Sequence, residues 1–271
     1  MGYSKSVGFF FETPTWVVAS FFIVVPSVLI SLAILWLFRK YVSHTVLQKN
    51  HDVAGFTLSI VGVLYSVILG FTVINAQSRY NEVLQTIHAE ALSVADLYRD
   101  ASFFPPANRD EIRSSLRGYV DAVIHEEWGQ PVREKNLFKS QGTLDALWKS
   151  YYNIDVPNEK TSVFFSISID KLNALMEARL SRLFNSWEHL GTMMWVLLLT
   201  GGLITVGFMF FFGLENLRNQ MIMTALLVSY ISFMLYLVYT LDHVFEGPER
   251  IKPIALEEVR SLFNNWDQTV K

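Results

Sequence analysis

Asp52-Val-Ala-Gly-Phe-Thr-Leu-Ser-Ile-Val-Gly-Val-Leu-Tyr-Ser-Val-Ile-Leu-Gly-Phe-Thr-Val-Ile-Asn-Ala-Gln-Ser-Arg79 contains no charged residue between its two ends. A helix needs about 20 apolar residues to cross the hydrocarbon core of a bilayer, and this window is longer. Three similar windows flank it: Glu12 to Arg39, Glu188 to Glu215, and Arg218 to Asp242. Charge is 17% of the chain yet is excluded from these four stretches, the pattern lipid imposes because a charge at the bilayer centre is costly. Any one window could be a buried helix of a soluble protein, but four together predict an all-α membrane protein.

Working outward, spans are expected at about 15–38, 55–76, 190–213 and 220–241. Residues 1–75 and 189–241 then form two transmembrane hairpins, 76–188 a helical extramembrane domain, and 242–271 a C-terminal segment with a short helix. Trp16 and Trp36 stand near the two ends of the first span, as interfacial anchors do. Lys5 ahead of an apolar run resembles a secretory signal, but the run is too long and lacks a small-residue cleavage pattern, so it reads as a retained span. Leu214 to Asn219 is a short turn between the last two spans.

Beyond the second span, Tyr80, Leu84, Ile87, Ala91, Val94 and Tyr98 recur at spacings of four and three, predicting that the helix continues into water. Pro105-Pro106 ends it. Asn108 and Glu111 suggest a capping box for a helix carrying Ile112, Leu116, Tyr119 and Val123, ending near Gly129 and Pro131. Leu144, Leu147, Trp148 and Tyr151 mark a shorter helix, followed by a loop through Pro157 and Asn158. A further helix from near Val163 carries Phe165, Ile169, Leu172, Met176, Leu183 and Trp187 and is expected to run unbroken into the third span; Phe165, Ile167 and Ile169 also alternate as a strand would. After Pro248 and Pro253, a last helix has Ile254, Leu256, Val259, Leu262, Phe263 and Trp266 on its apolar side.

Val63, Val67 and Phe71 are four residues apart and so form one apolar stripe on the second span. Gly62, Ser66 and Gly70 form a small-residue stripe beside it, with Asn75 further along. Small residues permit close helix packing in lipid, and an apolar stripe turned toward a symmetry axis makes a constriction that gates by dewetting. Equally, the same stripe could face lipid or a neighbouring helix. Arg79 closes the span, where it would attract anions to a pore mouth or snorkel to headgroups. Asp242, His243 and Glu246 at the end of the fourth span suggest an ion or pH site, against a capping role for Asp242.

Leu64-Tyr65-Ser66-Val67-Ile68-Leu69-Gly70-Phe71-Thr72-Val73 followed by Arg79-Tyr80-Asn81 resembles the second transmembrane helix of bestrophins, in which a Leu-Gly-Phe segment precedes an Arg-aromatic pair. With Glu90-Ala91, Leu97-Tyr98-Arg99 and Leu241-Asp242-His243-Val244-Phe245-Glu246-Gly247-Pro248, the chain is similar to the bacterial bestrophin-like membrane proteins, a domain family of unknown function. Bestrophins are pentameric anion channels whose second helix forms an apolar neck. The resemblance implies a neck at Val63, Val67 and Phe71, chloride among the permeant ions, a bacterial inner-membrane location, and a cytoplasmic extramembrane domain. The acidic calcium-binding run of bestrophins is reduced here to Asp242, Glu246 and Glu249, interrupted by His243, Pro248 and Arg250, so calcium gating does not carry over. Leu64 replaces a helix proline, predicting a straighter second helix.

Charges flanking the spans are Arg39, Lys40, Lys49 and Arg218 on the short-loop side, and Lys5, Arg79, Arg179, Arg182, Arg250, Lys252 and Arg260 on the other. The count favours a cytoplasmic domain, although Arg39-Lys40 abutting a span pulls the other way. A net charge of -3 and no basic helix face argue against nucleic acid, and the absence of cysteine removes thiol chemistry and disulfides. His125-Glu126-Glu127 and His88 with Glu90 read as solvated helix faces, since neither has the i, i+4 histidine pair of a helical zinc site. No enzymatic motif stands out, no cofactor is implied, and the expected partners are the bilayer, small ions and further copies of the chain. The leading expectation is a homo-oligomeric ion channel. The alternative is a non-conducting membrane scaffold or sensor whose helical domain binds a partner or ligand, and a secondary transporter is disfavoured by the lack of buried charge and of paired broken helices.

Overall fold

The structure, a computed structural model, describes residues 15–42, 47–48, 51–128, 141–155, 159–212, 214, 216–247 and 250–269. Its helices are α1 (Thr15–Tyr41), α2 (His51–Asp100), α3 (Pro106–Ala122), α4 (Gln141–Tyr152), α5 (Glu159–Asn185), α6 (Thr192–Phe210), α7 (Leu217–Asp242) and α8 (Ile254–Thr269). No strand occurs among the described residues, so the alternation at Phe165–Ile169 belongs to a helix. The chain divides into two compact units. One comprises Met1–Arg79, His189–His243 and Gly247–Glu249; the other comprises Tyr80–Glu188, Val244–Glu246 and Arg250–Lys271.

The first unit holds four helices long and apolar enough to cross a membrane. Helix α1 packs along α7, and α6 pairs with α7. Tyr65 and Leu69 of α2, Leu198 of α6, and Ile231 and Val238 of α7 form the core among them. Hydroxyls in these spans bond back to their own helix: Ser66 Oγ donates to Gly62 O at 2.7 Å, Thr72 Oγ1 to Ile68 O at 2.8 Å, and Thr205 Oγ1 to Gly201 O at 2.8 Å. That satisfies the group without water, as the hydrocarbon region requires. Asn216 Oδ1 accepts from Arg218 N–H at 2.9 Å and starts α7, while Arg39 Nη2 donates to Leu214 O at 2.9 Å across the turn. Trp36 is exposed near the end of α1, with Lys40 Nζ 5.8 Å from its ring centre. The side chain of Trp16 lies outside the described residues, as do Lys5, Lys49, Gly129, Pro131, Pro157, Asn158, Pro248 and Glu249.

Close helix approach inside this unit occurs at a place the small-residue stripe did not indicate. The Tyr65 ring lies against Gly201 and Gly202 of α6, where a Cβ on Gly201 would sit 2.6 Å from Tyr65 Cδ2. Nothing comes within 4 Å of a Cβ added at Gly62 or Gly70. Gly201→Ala is therefore expected to lower stability by about 1–3 kcal/mol, the usual cost of overpacking, read as an earlier thermal transition in detergent. Tyr65→Leu in the same chain should recover most of the loss.

In the second unit, α2 continues without interruption to Asp100, ends in a 3-10 turn (Ala101–Phe103), and is followed by Pro105. The capping box at Asn108 and Glu111 does not form: α3 starts at Pro106 with Pro105 as its cap residue. Proline at the first helical position has no N–H to leave unsatisfied and its φ is already helical. Val94, Leu97, Tyr98, Ile112, Leu116, Tyr119, Leu144, Leu147, Leu172, Leu175, Leu256 and Phe263 are among the side chains closing the core. Ile254 and Leu262, expected on the apolar side of α8, are exposed.

The expected unbroken passage from α5 into α6 is absent. Helix α5 stops at Asn185, residues 188–191 are non-helical, and Gly191 caps α6 with ψ 141°. Leu190 N–H, which a continuous helix would turn to a carbonyl four residues back, donates to Asp242 Oδ1 at 2.6 Å instead. A charged acceptor makes the stronger bond.

Candidate functional site: the open face of α2 and the end of α7

Along α2 the two faces differ sharply. Tyr65 and Leu69 are each 6% exposed and Thr72 and Ala76 are buried, whereas Val63, Val67 and Phe71 are 64%, 51% and 64% exposed. Ile74 and Leu64 extend the open apolar surface, and Gly62, Ser66, Gly70 and Asn75 accompany it. The period of 3.6 residues separates the two sets: positions 65, 69, 72 and 76 share one side, and 63, 67 and 71 share another. Among the described residues this face stays exposed.

Arg79 and Asp242 meet at the end of this unit, with Nη1 3.5 Å from Oδ1. The Asp242 carboxylate is wholly buried and also accepts from Leu190 N–H and, at 3.4 Å, from Trp195 Nε1–H. Arg79 is thus an ion-pair partner tying the end of the second span to the end of the fourth, rather than an isolated cation. His243 stacks on Tyr239 with ring centres 4.2 Å apart and on His189 at 4.6 Å. His189, Asp242 and His243 each offer a ligand atom within 4.8 Å of the others. His189 was not foreseen from the sequence, because 53 residues separate it from Asp242 and it follows a helix end that periodicity does not mark. Glu246 is exposed and belongs to the other unit.

That other unit contains a charged network read from the sequence as solvent-facing. Glu90 and Glu127 are buried, and so are Arg179 and Arg182. Arg182 Nε donates to Glu90 Oε2 at 2.5 Å, and its Nη2 to Glu90 Oε1 at 3.0 Å and Glu127 Oε1 at 2.6 Å. Arg179 Nη2 donates to Glu127 Oε2 at 3.1 Å, Tyr119 OH donates to Glu90 Oε1 at 2.6 Å, and the Trp128 ring lies 5.4 Å from the Arg182 guanidinium. A π-turn at Val123–Glu127 carries Glu127 into this cluster. Burial alone would lower the Arg182 pKa, but Glu90 and Glu127 more than reverse this and hold the guanidinium above its ordinary value. Burial pushes the Tyr119 phenol well above its usual range, with the Glu90 charge adding to the effect.

Residues 25–256 match the family model for the bestrophin-like domain. This chain belongs to the bestrophin-like family. The bestrophin-like chain superposes on a leucine-to-threonine variant of a bacterial bestrophin homologue from Klebsiella pneumoniae with a TM-score of 0.68 at 12% identity, over 89% of this chain and 98% of that one. A tyrosine-to-alanine variant of the same homologue gives 0.67 at 13% identity over 91% and 98%. A structure described as a membrane protein gives 0.68 at 12% over 89% and 97%. No curated protein sequence matches the chain. Fold and family together make this bestrophin-like protein an all-α integral membrane protein with four spanning helices and a helical extramembrane domain between the second and third.

Proposed function

We propose that this bestrophin-like protein is a homo-oligomeric ion channel, a pentamer that passes anions such as chloride, with α2 lining the pore and Val63, Val67 and Phe71 forming its constriction. The observation that carries the reading is the division of α2 into a packed face and an uncharged, uncovered stripe of large apolar side chains. Copies arranged about an axis would bring that stripe together, and Gly62, Ser66 and Gly70 would let their backbones approach. A bacterial inner-membrane location and a cytoplasmic extramembrane domain follow from the family resemblance. Of the two helices expected to run unbroken between lipid and water, α2 does so and α5 does not among the described residues, which leaves the sensor alternative one such connection.

The chain has no cysteine, so single cysteines report cleanly. In liposomes loaded for a halide-flux assay, Val67→Cys should react with a small charged, water-soluble thiol reagent and lose flux. Cysteine in place of the exposed Phe22 of α1 should leave flux unchanged. A parent protein that carries no halide, or a Val67→Cys channel indifferent to the reagent, would refute the proposal.

A further inference from the structure

We infer that His189, Asp242 and His243 bind one transition-metal dication of the zinc class per subunit, joining the linker before α6 to the end of α7. Three observations lead there. One nitrogen of each ring and one carboxylate oxygen lie within 4.8 Å of one another. Closing them to roughly 3.3 Å would satisfy ligands about 2.0 Å from a tetrahedral ion. His189 is exposed on a non-helical segment, so that adjustment disturbs no helix.

The supporting contacts are those that orient metal ligands. His189 Nδ1 lies 3.3 Å from Asp242 O, and His243 Nδ1 lies 3.1 Å from Tyr239 O. With the proton on Nδ1, each ring donates to that carbonyl and keeps the lone pair on Nε2, the usual outer-shell arrangement of a ligating imidazole. The two rings stack with centres 4.6 Å and planes 19° apart, which keeps both imidazoles beside the Asp242 carboxylate. The Asp242 side chain is fixed by Leu190 N–H, Trp195 Nε1–H and Arg79. Leu190 N–H and Arg79 both engage Oδ1, whereas Oδ2 holds only the long 3.4 Å contact from Trp195 Nε1–H and lies 3.7 Å from His243 Nδ1, so Oδ2 is the oxygen more open to the ion.

The donor set selects the ion. Two imidazoles with one carboxylate suit zinc, copper or nickel, whereas calcium requires six to eight oxygens. Three protein ligands leave a fourth position for water.

Purified full-length protein, stripped with chelator and dialysed, should take up zinc chloride at one ion per chain by isothermal titration calorimetry. Trp195, beside Asp242, should report it as a saturable change in tryptophan fluorescence. His189→Ala and His243→Gln should each weaken binding about tenfold to a hundredfold, the cost of disturbing a ligand shell, and His125→Ala should not. His189 is exposed, so its loss does not threaten folding. Absent binding, binding unchanged in both histidine variants, or equal binding of calcium chloride would each overturn the inference.

Discussion

Replacing Arg182 by alanine is expected to cost about 3–5 kcal/mol, the penalty for leaving buried charges without their partner. The loss should appear as a collapse of the thermal transition of the extramembrane unit or of folded yield. Arg182 contacts both carboxylates of its network, so its removal leaves the buried Glu90 without its cationic partner, while Glu127 keeps Arg179. Arg182→Lys should recover only part of the loss, since an ammonium cannot hold Glu90 through two parallel bonds. Removing the exposed Arg99, which pairs with Asp96 at 3.1 Å on the surface, should change stability by less than about 1 kcal/mol. A double replacement of Glu90 and Arg182 by leucine should be milder than either single change, because no uncompensated charge remains. An Arg182→Ala protein as stable as the parent would mean that water reaches the network.

Replacing Val63, Val67 and Phe71 together by alanine should raise halide flux in liposomes about tenfold or more, the effect of lowering a barrier by about 1.4 kcal/mol. Large apolar side chains around a narrow axis expel water, and an ion must then shed hydration to pass. Alanine widens the gap and lets water persist. All three side chains are exposed within the subunit, so truncation forfeits little packing inside it and a change in flux would not be a folding defect in disguise. Phe71→Trp should act in the opposite sense. Flux unaltered in both variants would place the stripe against lipid or another helix.

Several parts of this fold were legible because they are properties of single residues added along the chain. The four spans follow from where charge is missing, and α2 continues past Arg79 because its apolar spacing does not falter until the Pro105-Pro106 pair. The stripe at Val63, Val67 and Phe71 was likewise readable, since a helix converts spacing directly into direction. The break after α5 was not. Its apolar periodicity runs on through Trp187, yet α5 stops at Asn185, and in the non-helical stretch that follows Leu190 N–H is held by Asp242, 52 residues away. Glu90 and Glu127 were misread for the same reason: each looks solvated among its neighbours, and its partner Arg182 lies 92 or 55 residues distant.

By itself, then, the sequence determined a four-span helical membrane protein with a helical domain inserted between spans two and three, and one uncharged stripe on its second helix. Tertiary structure decided that Arg79 meets Asp242, that two arginines and two glutamates are interior, and that His189 joins His243. Hydropathy accumulates residue by residue and needs no folded partner to be read. Charge pairing is a relation between two places, and only folding brings those places within a few ångströms.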